Sequence, residues 1–130
     1  MQDGPAGMAP VALQASDRDA GAIQASRANA ARAGVADCIE FACQAVSAIH
    51  PRGRGWVVTN PPYGLRVSAN QDLRSLYAQF GKVLRQRCRG WRVLLICPEM
   101  RLLAQSGLEF KVLGRLYNGG VQVLLAAADV

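Results

Sequence analysis

Several things are scarce in this sequence, and each scarcity removes a class of function. There is one histidine, His50, beside Pro51. No cysteine or carboxylate stands at ligand spacing from it, so it reads as a surface residue and not as part of a metal centre. The four cysteines, Cys38, Cys43, Cys88 and Cys97, include no C-x-x-C pair and all fall on apolar segments. Buried, reduced thiols are expected in place of a zinc site or a disulfide framework. No apolar run approaches the ~20 residues of a membrane span. The opening MQDGPAGMAP does not set basic residues before an apolar stretch as a secretory signal does, so a cytosolic chain with no membrane partner and no metal is expected. Internal repeats are absent, and the one biased tract is an Ala-rich helical stretch.

What the chain does have is enough apolar residue for a core, about half of its 130 residues, but no room for a second domain. It also carries an excess of positive charge, 15 Lys and Arg against 9 Asp and Glu, for a net charge of +6. That balance favours an anionic partner such as nucleic acid, although a soluble basic protein would share it.

Residues 1–10 read as a disordered or frayed lead, and residues 11–130 as one partial domain. VALQAS (11–16) has the pattern of a short strand, and the helix DRDAGAIQASRANAARAG follows. Asp17 or Asp19 can cap its start, and Gly34 can end it in the left-handed conformation. Its Ile23, Ser26, Ala30 and Ala33 make a face of small side chains suited to lying close on a sheet. CIEFAC (38–43) and GWVVTN (55–60) read as the next two strands. From Leu73 the spacing becomes helical through Leu76, Tyr77, Phe80, Val83, Leu84 and Cys88, with Ser68 and Gln71 spaced as a capping box and Gly90 as the stop. WRVLLIC (91–97) reads as a fully buried strand and PEMRLLAQSG as a short helix. EFKVLGRLY and VQVLLAAA then form a hairpin closed by Asn118, Gly119 and Gly120. This order predicts an α/β fold with a mostly parallel sheet and a C-terminal antiparallel hairpin.

The segment GWVVTNPPYGLRV carries the chemistry. Ligands of open α/β sheets bind at the carboxyl ends of strands, and Asn60 stands at such an end. Two successive prolines fix two φ angles and remove two backbone donors, leaving a stiff loop that mainly accepts hydrogen bonds. Such a loop suits a substrate that donates, such as an exocyclic amine. The Asn60 amide oxygen and the Pro61 carbonyl can each take one N–H, holding the nitrogen lone pair towards an electrophile. Tyr63 offers a stacking face, and Gly64 lets the chain turn away without crowding it.

The tetrad NPPY after an apolar strand resembles the catalytic motif of class I S-adenosylmethionine-dependent methyltransferases that modify amino groups. SDRDAGAIQASRANAARAGV, VVTNPPYGLRV, LRSLYAQFGKVLRQRCRGWRVLLI and NGGVQVLL, in that order, resemble the THUMP-associated guanine-N2 methyltransferases of ribosomal RNA, over nearly the whole chain from Val11. The resemblance implies a Rossmann-like fold, S-adenosylmethionine as cofactor and RNA, ribosomal in that family, as partner. It implies catalytic roles for Asn60, Pro61, Pro62 and Tyr63, with Asn60 also beside the donor. It gives Asp17 the ribose hydroxyls of the donor, a role compatible with helix capping. It sets Gln44 where an aspartate usually meets the adenine amine. Arg66 would lie beside the target base as an RNA contact. Arg74, Lys82, Arg85 and Arg89 form a row that can meet phosphates or simply face water. Trp56 and Trp91, each opening a strand, are expected to pack in the core or at the sheet edge.

The departures from that family are two. No first strand with a Gly-rich loop of D-P-x-C-G-S-G type precedes Val11, and no THUMP domain is present. The chain is therefore expected to act as the C-terminal part of a methyltransferase domain, inactive alone, with the missing N-terminal part of the domain or a THUMP domain as partner. Two alternatives stay open: an amino methyltransferase for adenine or a protein glutamine, and a non-catalytic RNA-binding remnant.

Overall fold

The computed structural model describes residues 13–62 and 73–130. They fall into two compact units, Met1–Ile49 and His50–Val130.

In the first unit, strand β1 (Leu13–Asp17) leads into helix α1 (Ala20–Arg32) and then strand β2 (Ile39–Cys43). The two strands pair in parallel, from Leu13 opposite Ile39 to Asp17 opposite Cys43. Of the two candidate caps, Asp19 holds the helix start. Its backbone is extended and its carboxylate accepts the Ala22 N–H at 2.9 Å, satisfying one of the donors that a first turn leaves over. Gly34, at φ +74°, turns the chain out of the helix as expected. The small face is buried only in part: Ile23 and Ala30 are covered, while Ser26 and Ala33 are exposed.

The second unit runs β3 (Trp56–Thr59), α2 (Leu73–Arg87), β4 (Arg92–Cys97), α3 (Met100–Gln105), β5 (Lys111–Asn118) and β6 (Val121–Asp129). Its four strands are ordered β3-β4-β6-β5. β3 pairs with β4 in parallel, Trp56 opposite Arg92, and the other two pairings are antiparallel. The α/β class and the C-terminal hairpin thus agree with the sequence pattern, although the described strands form two sheets. Among the described residues β1 pairs only with β2 and β3 only with β4, so each keeps one edge without a strand.

The core of this unit lies between the helices and one face of the sheet. Tyr77 and Leu84 of α2, Leu103 of α3, Val93 and Leu95 of β4 and Val123 of β6 are fully buried. Helices α2 and α3 meet at backbone distance, because a Cβ at Gly81 would overlap the Ser106 carbonyl group. The Arg85 guanidinium donates to that same carbonyl. In the hairpin, Gly119 and Gly120 have φ of +59° and +83°, the pair of positive angles that a two-residue turn needs.

Two expectations are corrected. Cys38 and Cys43 are exposed; only Cys88 and Cys97 are buried. β2 belongs to a two-stranded sheet with little over it, whereas β4 is central. β4 is itself not buried on both faces: Val93, Leu95 and Cys97 are covered, Leu94 and Ile96 half-covered, and Arg92 exposed. Trp56, on the edge strand β3, takes the sheet-edge alternative of its expectation: it is 48% exposed, with the Arg92 guanidinium 4.4 Å from its ring centre. Arg92 is in turn held by Asp129 at 2.9 Å. Trp91 packs as expected, its ring against Gly55 and its indole N–H on the Gly53 carbonyl at 2.7 Å.

Candidate functional site

The residues singled out in the sequence stand at the carboxyl ends of parallel strands, where an α/β sheet presents its loops to a ligand. In the first unit Asp17 is the last residue of β1. One of its carboxylate oxygens accepts the Asp19 N–H at 2.8 Å, which fixes the direction of the group, and the other has no partner among the described residues. Gln44 follows β2, and its backbone N–H donates to the Asp17 carbonyl at 2.9 Å, so the two strand ends are tied together. An exposed Asp17 and a half-buried Gln44 thereby stand at neighbouring strand ends. The thiol of Cys43 donates to the Arg18 carbonyl at 3.5 Å and holds the same corner. As a set of acceptors the corner fits a sugar carrying neighbouring hydroxyls, which donate to the carboxylate, next to an amine that donates to an amide oxygen.

In the second unit Asn60 follows Thr59, the last residue of β3, and Pro61 and Pro62 continue without a helix or strand. Asn60 and Pro62 are exposed and Pro61 half-buried, so the amide reaches solvent at the end of the strand. The peptides of both prolines are trans. Tyr63 and Arg66 lie outside the described residues, as do Ser68 and Gln71 of the expected capping box.

Of the basic row read from the sequence, Arg85 and Arg89 line one open depression with Gly90, Leu108 and Val130. Lys82 and Arg89 are exposed, and Arg85 is committed to the Ser106 carbonyl. His50 is exposed as expected, with Arg87 at 3.0 Å from its Nδ1. Burial pushes the Cys88 thiol up, more than the neighbouring Arg87 charge pulls it down. This describes an inert core thiol and not a nucleophile. Among the described residues no three metal-ligating side chains converge, and no helix is long and apolar enough to cross a membrane. One feature was missed in the sequence: a bulge between Val112 and Gly114 sets Lys111 on one face of β5 and Arg115 and Tyr117 on the other, although all three are exposed. The regular alternation in EFKVLGRLY gives no sign of it.

The chain is similar to known proteins in sequence and in fold. Residues 6–120 match the RMKL-like methyltransferase domain family. The ribosomal RNA large subunit methyltransferase K/L of Allochromatium vinosum is 36% identical over 122 residues, covering 91% of this chain and 16% of that protein. Among solved structures, SMU.472, assigned as a methyltransferase and crystallised with SAH, superposes with a TM-score of 0.77 at 21% identity, over 90% of this chain and 31% of its own. A predicted N6-adenine-specific DNA methylase from Listeria monocytogenes superposes with a TM-score of 0.69 at 26% identity, over 89% of this chain and 30% of its own. With the family matched along most of its length, the chain belongs to the RMKL-like methyltransferase domain family.

Proposed function

We propose that the chain supplies the acceptor side of an S-adenosylmethionine-dependent RNA methyltransferase that modifies the N2 amine of guanine in ribosomal RNA. The observation that carries this is the position of Asn60-Pro61-Pro62 directly after β3, on a strand paired in parallel with β4. The similarity to a large-subunit ribosomal RNA methyltransferase supports the choice of RNA. S-adenosylmethionine supplies the methyl group. Asp17 would hold its ribose hydroxyls and Gln44 its adenine amine. Asn60 and the Pro61 carbonyl would accept the two N–H bonds of the target amine, with Tyr63 stacked on the base and Arg66 on a neighbouring phosphate. These acceptors favour the transition state because the amine becomes positive as it attacks, and a carbonyl oxygen stabilises an N–H more strongly as that charge grows.

The chain spans 16% of the length of that curated relative. We therefore place donor binding in cooperation with the N-terminal part of such a domain, and RNA capture in cooperation with a THUMP domain. Alone, the 130 residues are expected to transfer nothing. Isothermal titration with S-adenosylmethionine tests this; micromolar binding by the isolated chain would contradict it.

The test of the reaction joins the chain to a family member's N-terminal segment and offers large-subunit ribosomal RNA, DNA and a glutamine peptide with labelled donor. N2-methylguanosine recovered after nuclease digestion is the expected product. Transfer to the peptide alone sinks the guanine assignment. Transfer to adenine instead would favour the second reading, which the likeness to an adenine-specific methylase keeps in play.

A further inference from the structure

Charge divides unevenly between the two units. His50–Val130 carries 12 Lys and Arg against 4 Asp and Glu, while Met1–Ile49 carries 3 against 5. Within the second unit, cations crowd where α2 ends and β3 and β4 begin. An open hollow of about 490 Å³ there is lined by Arg85, Arg89, Gly90, Leu108 and Val130. Arg54 lies against the same Gly90, where a Cβ would stand 3.6 Å from its Nε.

Basic residues in the last turn of a helix offset its dipole, which accounts for Arg85 and Arg87. Arg87 also faces His50, and Arg85 gives one N–H to the Ser106 carbonyl. Arg54 and Arg89 lie outside the helix, and neither has a hydrogen-bond or ion-pair partner among the described residues. Nearby acids do not balance them. Glu109, next to Leu108, is in no ion pair among the described residues, and Asp129 is taken by Arg92. The carboxylate of Val130 stands at the hollow, with an oxygen on the Gly90 N–H at 3.2 Å. Three guanidinium groups thus meet one carboxylate.

A guanidinium offers a planar fork that matches a phosphate. The Arg85 group is already held by Ser106 and lies against Gly107, where a Cβ would crowd it; its remaining N–H donors are set before any ligand arrives. The half-buried Leu108 and Val130 give the hollow an apolar side that an isolated phosphate ion would not use. β3 runs from this end of the sheet to Asn60, roughly 13 Å along the strand. Only a polymer could occupy both ends at once.

We propose that the hollow at the C-terminal end of α2 binds the phosphate backbone of RNA through Arg54, Arg85 and Arg89, as an anchor separate from the acceptor loop. The choice of RNA rests on the function proposed above; the phosphate chemistry does not. The test is fluorescence anisotropy of a labelled single-stranded RNA oligonucleotide with the 130-residue chain across a salt series. Arg54→Gln with Arg89→Gln should weaken binding and reduce the slope of log affinity against log salt by about 1.4, or about 0.7 for each phosphate no longer neutralised. Arg85 is spared because it also ties α2 to the end of α3. Arg101→Gln with Arg115→Gln removes the same charge at exposed positions that do not line the hollow, and should leave the slope unchanged.

Circular dichroism checks that both double variants keep the fold. An unchanged slope in the first pair overturns the proposal, and so does an equal fall in both pairs, which would mean that net charge alone draws the RNA. Inorganic phosphate, added at constant ionic strength, should not displace the RNA; displacement would assign the hollow to the free ion instead. The methyl-transfer test fails or succeeds separately. RNA affinity that follows Arg54 and Arg89 without guanine methylation would sink the reaction and leave the anchor standing; methylation with wild-type affinity in the first pair would do the opposite.

Discussion

Asn60 sits where a lost acceptor should be felt in the rate rather than in binding. If its amide oxygen holds one N–H of the target amine, Asn60→Ala in the joined enzyme should lower kcat by about 10²–10³-fold, with little change in KM for RNA. A KM effect alone would mean that Asn60 only helps to bind the loop or the RNA. The thiols give a second test at the same scale. At pH 8, Cys38 and Cys43 should react with a thiol reagent in the native protein and Cys88 and Cys97 only on unfolding. Because burial raises the Cys88 pKa in the folded state, its contribution to stability is complete below the unfolded thiol value of about 8.5. It is lost as pH rises from there through the folded pKa. A Cys88→Ala variant with the same fall in stability above a pH of about 8.5 would assign that fall to other groups. Sequence alone located Asn60 at a strand end because an apolar run stops at an amide and two prolines. It misjudged Cys38 and Cys43, since an apolar neighbourhood in sequence does not say whether anything lies over that face of the sheet.

Among the elements, α2 was the most legible, its apolar residues recurring with the helical period and Gly90 closing it at φ +81°. The hairpin was nearly as plain, because Asn-Gly-Gly between alternating segments leaves few other conformations. Gly81 was not legible. A glycine inside a helix reads as a weakness, and only the meeting of α2 with α3 shows what it makes room for. Gly81→Ala should therefore destabilise the fold by about 1–3 kcal/mol, although alanine is the better helix former. An unchanged or raised midpoint in urea would mean that the two helices do not touch through their backbones.

For the molecule as a whole, the division into two units separates a built core from a sparse one. Among the described residues, nearly all the large buried side chains belong to His50–Val130, and Met1–Ile49 buries Ile23 and Ala30. Two strands and one lightly packed helix are marginal in water. Native-state hydrogen exchange should then show β1, α1 and β2 opening at lower free energy than β4 and β6. Equal protection across the chain would contradict this. The sequence could not reveal the split, because strand order depends on pairings between distant segments while hydrophobic period is local. Among the described residues β1 and β3 each keep one edge without a strand.

The sheet order has one more consequence, and it concerns time. β6 lies between β4 and β5, yet it is made after both. On the ribosome β4 can pair with β3 but must wait for its second neighbour until α3, β5 and the Gly119-Gly120 turn have emerged. Hairpins close in about 1–10 μs, far faster than residues are added. The ribbon of β5 and β6 should thus zip as it is synthesised and dock onto β4 as a finished piece, so that the strand shielding the flank of β4 arrives already shielded on its own other side.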